Sequence, residues 1–227
     1  MRKRWIRYSL LLLLVPIAIA SGLKLFDDRG YVFISFVIVA LASMAFLFYY
    51  EKNEVKTRTL VVMAVLVALS VVGRFLFAAV PGFKPVTAIV VIAAIFFGSE
   101  MGFLVGALSA LISNIYFGQG PWTPFQMFAW GMIGFMAGLP VVRKYLRNNK
   151  IILGLYGIFA GIVYSLLMDI WTVMALDGEF NFRRYMAAVG LSLPFMMTYA
   201  VSNVIFLLLV MKPIGEKLER LKVKYGL

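Results

Sequence analysis

The chain contains no cysteine and no histidine, and only ten of its 227 residues are acidic. Without thiolate or imidazole, most zinc, haem and iron–sulfur ligand sets are excluded, as are most general bases that titrate near neutral pH. A Ser–His dyad and a zinc protease are ruled out for the same reason. No disulfide can form, so cysteine pairing says nothing about the redox compartment. The acidic residues are not clustered as magnesium-assisted phosphotransfer requires, and no GxxxxGK[ST] phosphate loop occurs. Low-complexity segments are missing too, and no convincing internal repeat supports an inverted-repeat transporter. The catalytic alternative left open is a membrane-embedded enzyme using Asp or Lys.

What is present is apolar: 63% of the residues are hydrophobic, in runs long enough to cross a bilayer core of about 30 Å. The chain therefore reads as an all-α integral membrane protein. Eight candidate spans fall at 8–26, 31–50, 59–80, 86–98, 102–117, 125–142, 151–176 and 187–211. The fourth is short for a crossing, which needs roughly 20 residues, so it is expected to be tilted, irregular or extended by its flanks.

The formal charge of +12 would point to nucleic acid in a soluble protein. Here, placing the amino terminus in the cytoplasm puts "MRKRWIR", "EKNEVKTR", "RKYLRNNK" and the tail from Lys212 inside, with 16 of the 22 basic residues. Topology thus explains the basic balance. Contact with membrane lipid is expected, and nucleic-acid binding is not. The first segment has the basic start and Ala18-Ile19-Ala20 ending of a signal peptide, but its apolar run continues nearly to Phe26, which favours a retained helix. The charged stretch 51–58 separates this pair of spans from the rest, giving an extension (1–57), a core (58–211) and a basic cytoplasmic tail (212–227) that is able to prolong the last helix.

With this topology the outward core loops are "PGFKPVT" (81–87), "GQGPWTP" (118–124) and "LDGEFNFRR" (176–184). Burying an unpaired charge in hydrocarbon costs at least ~2.5 kcal/mol, so Arg74 and Asp169 stand out. At 1.5 Å per residue they lie roughly 22 and 27 Å from the inner ends of their spans. They are therefore placed to pair or to face one cavity, against the plainer readings of a structural ion pair or a snorkelling arginine. Asn114 lies in the outer half of its helix. Gln126 and Trp130, four apart, share a face that offers a ligand an apolar wall and an amide, or else serve as interfacial anchor and interhelical glue. Tyr199 and Asn203 are a similar pair, with Asn203 in the inner half and read as structural. Gly102, Gly106, Ala110 and Asn114 recur every fourth residue, and Gly131, Gly134 and Gly138 line the next helix, a pattern for close helix packing. Ala64 and Ala68 form a further small-xxx-small pair.

The arrangement "GRF…P…KPVT…G…GFLVGALSALISN…GQGPWTPFQMFAWG", within about 58–211, resembles the substrate-binding S component of an energy-coupling factor (ECF) vitamin transporter. That resemblance implies a six-helix membrane bundle, here preceded by two extra N-terminal transmembrane helices that depart from the family pattern. It implies a multi-pass protein of the cell membrane, no enzyme and no cofactor, that binds a vitamin from outside. Its partners would be a transmembrane coupling subunit and two cytoplasmic ATPases, with toppling in the membrane releasing the ligand inside. The family's AxxxA contact with the coupling subunit falls on Ala64 and Ala68. The family's site-building loops are the three outward ones. The expected ligand site therefore draws on Arg74, Lys84, Asn114, Gln119, Trp122, Thr123, Gln126, Trp130 and Asp169. An aromatic mouth of Trp122, Trp130 and Phe125 suits a large planar ligand, with cobalamin as the leading choice and riboflavin, a pyridoxine-like vitamin or a queuosine precursor as alternatives. A third class is an assembly or lipid-interacting protein whose outer loops merely cap helices.

Overall fold

The computed structural model describes residues 2–26, 31–50, 57–177 and 180–226. Residues 51–56 of the charged separator, and Gly178 and Glu179 of the third outward loop, lie outside the described residues. α1 (Arg2–Ser9) continues through a π-helical turn (Leu10–Leu14) into α2 (Val15–Phe26), since Ser9 and Val15 both keep right-handed helical backbone. α3 (Tyr31–Tyr50) packs back along this run. The core follows as α4 (Thr57–Leu76), α5 (Val86–Phe97), α6 (Ser99–Phe117), α7 (Trp122–Ala137), a short α8 (Pro140–Asn148), α9 (Lys150–Asp177) and α10 (Phe182–Tyr225). All described elements are helical, as apolar chain in lipid requires when every backbone amide must be satisfied within its own segment. Among the described residues, the architecture is thus six apolar core helices of unequal length with the short α8, preceded by two leading helical segments.

The spans are not equivalent. Among the described residues, α4, α6, α9 and α10 are long and apolar enough to cross a membrane, and α7 with α8 makes a fifth only as a pair bent by 78°. α5 has 12 residues, about 18 Å at 1.5 Å each. All of them are buried, with α4, α6, α7, α8, α9 and α10 around the helix. Its length need not match the bilayer, because protein covers it on every side. The connection "RKYLRNNK", placed inside between two spans, is mostly helix α8. Pro140 supplies a preset first-turn φ, and Leu146 is buried while the basic side chains stay outside.

The glycine spacing is a packing device. A Cβ on Gly134 would lie 2.3 Å from the Gly102 carbonyl oxygen, and one on Gly106 would lie 2.6 Å from the Trp130 backbone. α6 and α7 therefore touch backbone to backbone, which brings the outer end of α6 against the first turns of α7. Gly98, at φ 98°, makes the tight reversal from α5 into α6. α10 runs without a break through Pro194 and Pro213. Its 44 residues extend about 66 Å, more than twice the hydrocarbon thickness.

One end of the bundle collects the basic segments. Arg7 pairs with buried Glu100 at 3.1 Å, Arg147 with Glu219 at 2.8 Å, and Lys222 donates to the Phe96 carbonyl at 3.0 Å. The Arg58 guanidinium sits 4.4 Å from the Tyr225 ring centre. The starts of α1 and α4, the α5–α6 junction, α8 and the end of α10 therefore share one end. The Pro- and Gly-rich loops at 81–87 and 118–124 lie at the other.

Candidate functional site

At that second end, α4 and α7 converge on Asn114, near the end of α6. Its carbonyl oxygen accepts from Arg74 Nη1 of α4 at 2.8 Å, and its amide donates to Thr123 Oγ1 at 3.0 Å and Gln126 Oε1 at 2.8 Å on α7. Every polar valence of this amide except one lone pair is used, and Asn114 has no exposed surface. Arg74 Nη1 also donates to Ser113 Oγ. Thr123 donates to Gln119 Oε1 at 3.0 Å and accepts from the Gly120 amide at 3.3 Å, while Gln119 anchors to the Leu111 carbonyl at 2.8 Å. "GQGPWTP" is thus folded back onto α6 by its own polar side chains.

Beneath this network lies an aromatic layer. Trp130 is 1% exposed and stacks on Tyr164 of α9, with ring centres 5.1 Å apart and planes 22° from parallel. Tyr164 meets Tyr199 of α10 edge-on at 4.9 Å. Two cations stand over the Trp130 ring, Arg74 Cζ at 5.4 Å and Lys84 Nζ at 5.7 Å. Arg74 also covers Phe117 at 4.6 Å, and Lys84 covers Tyr199 at 5.2 Å. The Lys84 loop is held against α10: its amide donates to Ser202 Oγ at 2.9 Å, and that hydroxyl donates back to the Lys84 carbonyl at 3.2 Å. Burial pushes the Lys84 ammonium down to about 7, and the neighbouring Arg74 charge adds to the shift.

Arg74, Lys84, Asn114, Gln119, Thr123, Gln126 and Trp130 therefore form one connected cluster. Trp122 stands at its rim, half open to the surroundings, with its ring against Gly120. Asp169 is apart. It accepts from Ser192 Oγ of α10 at 2.7 Å, and among the described residues no ion pair joins it to Arg74. Of the two arrangements expected for Arg74 and Asp169, a pair or one shared cavity, the pair does not form, and Arg74 has amide and hydroxyl partners in place of a countercharge. Asn203 donates to the Gly157 carbonyl at 3.2 Å, tying α10 to α9. Ser113, Tyr164, Tyr199 and Ser202 are cluster members that the sequence reading gave no role. Tyr199 carried a signal, as a polar-tipped ring on the face of Asn203, whereas Tyr164 and Ser202 look like ordinary span residues until α9 and α10 are packed.

Residues 54–220 match the model of the family described as ECF-type riboflavin transporter, S component. Two curated relatives, the UPF0397 proteins of Aliivibrio fischeri strains MJ11 and ATCC 700601 / ES114, are each 29% identical over 109 residues. That stretch is 45% of this chain, and it spans only 57% of the relatives' length. No solved structure matches.

Proposed function

We propose a function from one premise, that the chain belongs to the family of ECF-type riboflavin transporter S components. It is a multi-pass membrane subunit of an ECF transporter, and such a subunit binds the small molecule to be imported. Its ligand site is the Asn114-centred cluster with Arg74, Lys84, Gln119, Thr123, Gln126 and Trp130, and Trp122 marks the entrance. The observation that carries this reading is the gathering of polar and aromatic side chains from α4, α6, α7, α9 and α10 at the end opposite the basic one. Polar groups in the membrane part of a bundle are costly and mark ligand or ion pathways. The basic end, with the amino terminus, faces the cytoplasm by the positive-inside rule, so the cluster opens outward.

The family description favours a flavin as the transported vitamin. A corrinoid fits less well, because the broad aromatic mouth it called for is not open: Trp130 is stacked on Tyr164 and Phe125 packs on Trp171 at 5.5 Å. Asp169, engaged with Ser192, is left outside the site. The partner face is α4, where Ala64 and Ala68 are exposed beside a groove of about 630 Å³ between α4 and α10, lined by Val61, Val65, Leu69 and Leu221. The coupling subunit docks there, and ATP is hydrolysed by two ATPase subunits, since this chain has no phosphate loop of its own.

Equilibrium binding to the purified protein tests the site. Gln126→Ala with Trp130→Ala is expected to weaken riboflavin binding at least about tenfold; unchanged affinity would remove these residues from the site.

A further inference from the structure

We infer that Arg74 and Lys84 form a receptor for an oxyanion, so the imported ligand carries a carboxylate or a phosphate close to its ring system. The inference rests on reading this end of the bundle as the ligand site, and it narrows the chemistry of what enters.

Two cations stand over one buried indole, at 5.4 and 5.7 Å from its centre. Like charges held this close repel, and burial strengthens the repulsion. Among the described residues, no carboxylate forms an ion pair with either group. Asp169 is committed to Ser192. Arg74 at least has hydroxyl and amide acceptors in Ser113 and Asn114. Lys84 has none: its half-buried ammonium stands over the Trp130 and Tyr199 rings, with no hydrogen bond or ion pair from it among the described residues. The ring contacts compensate only part of such desolvation. The backbone of Lys84 is nevertheless fixed at both its amide and its carbonyl by Ser202, which anchors the loop that places this side chain over the Trp130 ring.

A site built to be complete without ligand would place an acid or an apolar residue here. A site that waits for an anion would look as this one does, with one cation positioned by hydrogen bonds and a second left with its donors free. A neutral flavin or a cationic ligand leaves the charges uncompensated, and a cationic queuosine precursor adds a third. A carboxylate or phosphate would bridge Lys84 Nζ and the remaining Arg74 donors, which the guanidinium fork suits geometrically.

Matched probes separate the cases. Riboflavin and riboflavin 5′-phosphate are titrated against the purified full chain and against Lys84→Met, which keeps the length and removes the charge. The phosphate is expected to bind at least about tenfold more tightly than riboflavin, and Lys84→Met should abolish that preference. Equal affinity for the two probes, or a preference that survives Lys84→Met, would overturn the oxyanion receptor. If riboflavin alone binds, the receptor fails and the binding-subunit reading stands. If neither probe binds, both the receptor and the flavin assignment fail.

Discussion

Asn114 is the residue on which the outer end depends. Its amide joins α4 to α7 through Arg74, Thr123 and Gln126. Asn114→Leu keeps the branched shape but leaves buried partners short of a bond, a loss of about 2 kcal/mol. Thermal denaturation in detergent should show the drop, and a second-site change at Gln126 should then cost less than it does in the parent. Lys84 adds a pH dependence whose sign is fixed. Its ammonium titrates near 7, so affinity for an anionic ligand is highest below that value and falls as pH rises through it. Arg74 of α4, Tyr164 of α9 and Tyr199 of α10 are the other titratable groups around it. The fall should be measured with riboflavin 5′-phosphate above the probe's own second pKa of about 6, and it should vanish in Lys84→Met.

Among the elements, α6 and α7 form the tightest pair, and glycine makes them so. Gly134→Val would drive a side chain into the Gly102 backbone. The helices must then separate, at a cost of about 3 kcal/mol, and the Asn114–Gln126 bond should loosen with them. Loss of both thermal stability and ligand affinity is expected. At the opposite end, the extra N-terminal helices are tied to the core by Arg7 and Glu100, with side chains only 12% and 4% exposed. Glu100→Ala should destabilise by about 3 kcal/mol, and a double replacement by methionine should recover part of that loss. The same pair gives α1 a structural task, so intact-mass measurement of the purified protein is expected to find Arg7 on the chain.

For the whole molecule, the two ends divide the labour proposed here: ligand capture at the Pro- and Gly-rich end, and partner contact along α4. Ala64→Trp with Ala68→Trp should abolish uptake in cells that also supply the coupling and ATPase subunits, while binding by the isolated protein stays unchanged. Unaltered uptake would remove this face from the docking surface.

The sequence by itself determined the membrane class, the helical segments, the basic end and the two loops that frame the cluster. Each of these follows from local composition: an apolar run cannot stay in water, lysine and arginine sort to one side, and Pro-Gly turns break helices wherever they stand. It also marked Asn114, Gln126 and Trp130, because an amide or indole within a span stands out against hydrocarbon. Only the tertiary structure decided that Arg74 bonds an amide and not Asp169, that Tyr164, Tyr199 and Ser202 complete the cluster, and that α5 is wholly enclosed. Those facts depend on which faces of α9 and α10 meet α4 and α7. Contacts between residues dozens to more than a hundred positions apart leave no period or composition for a single sequence to show.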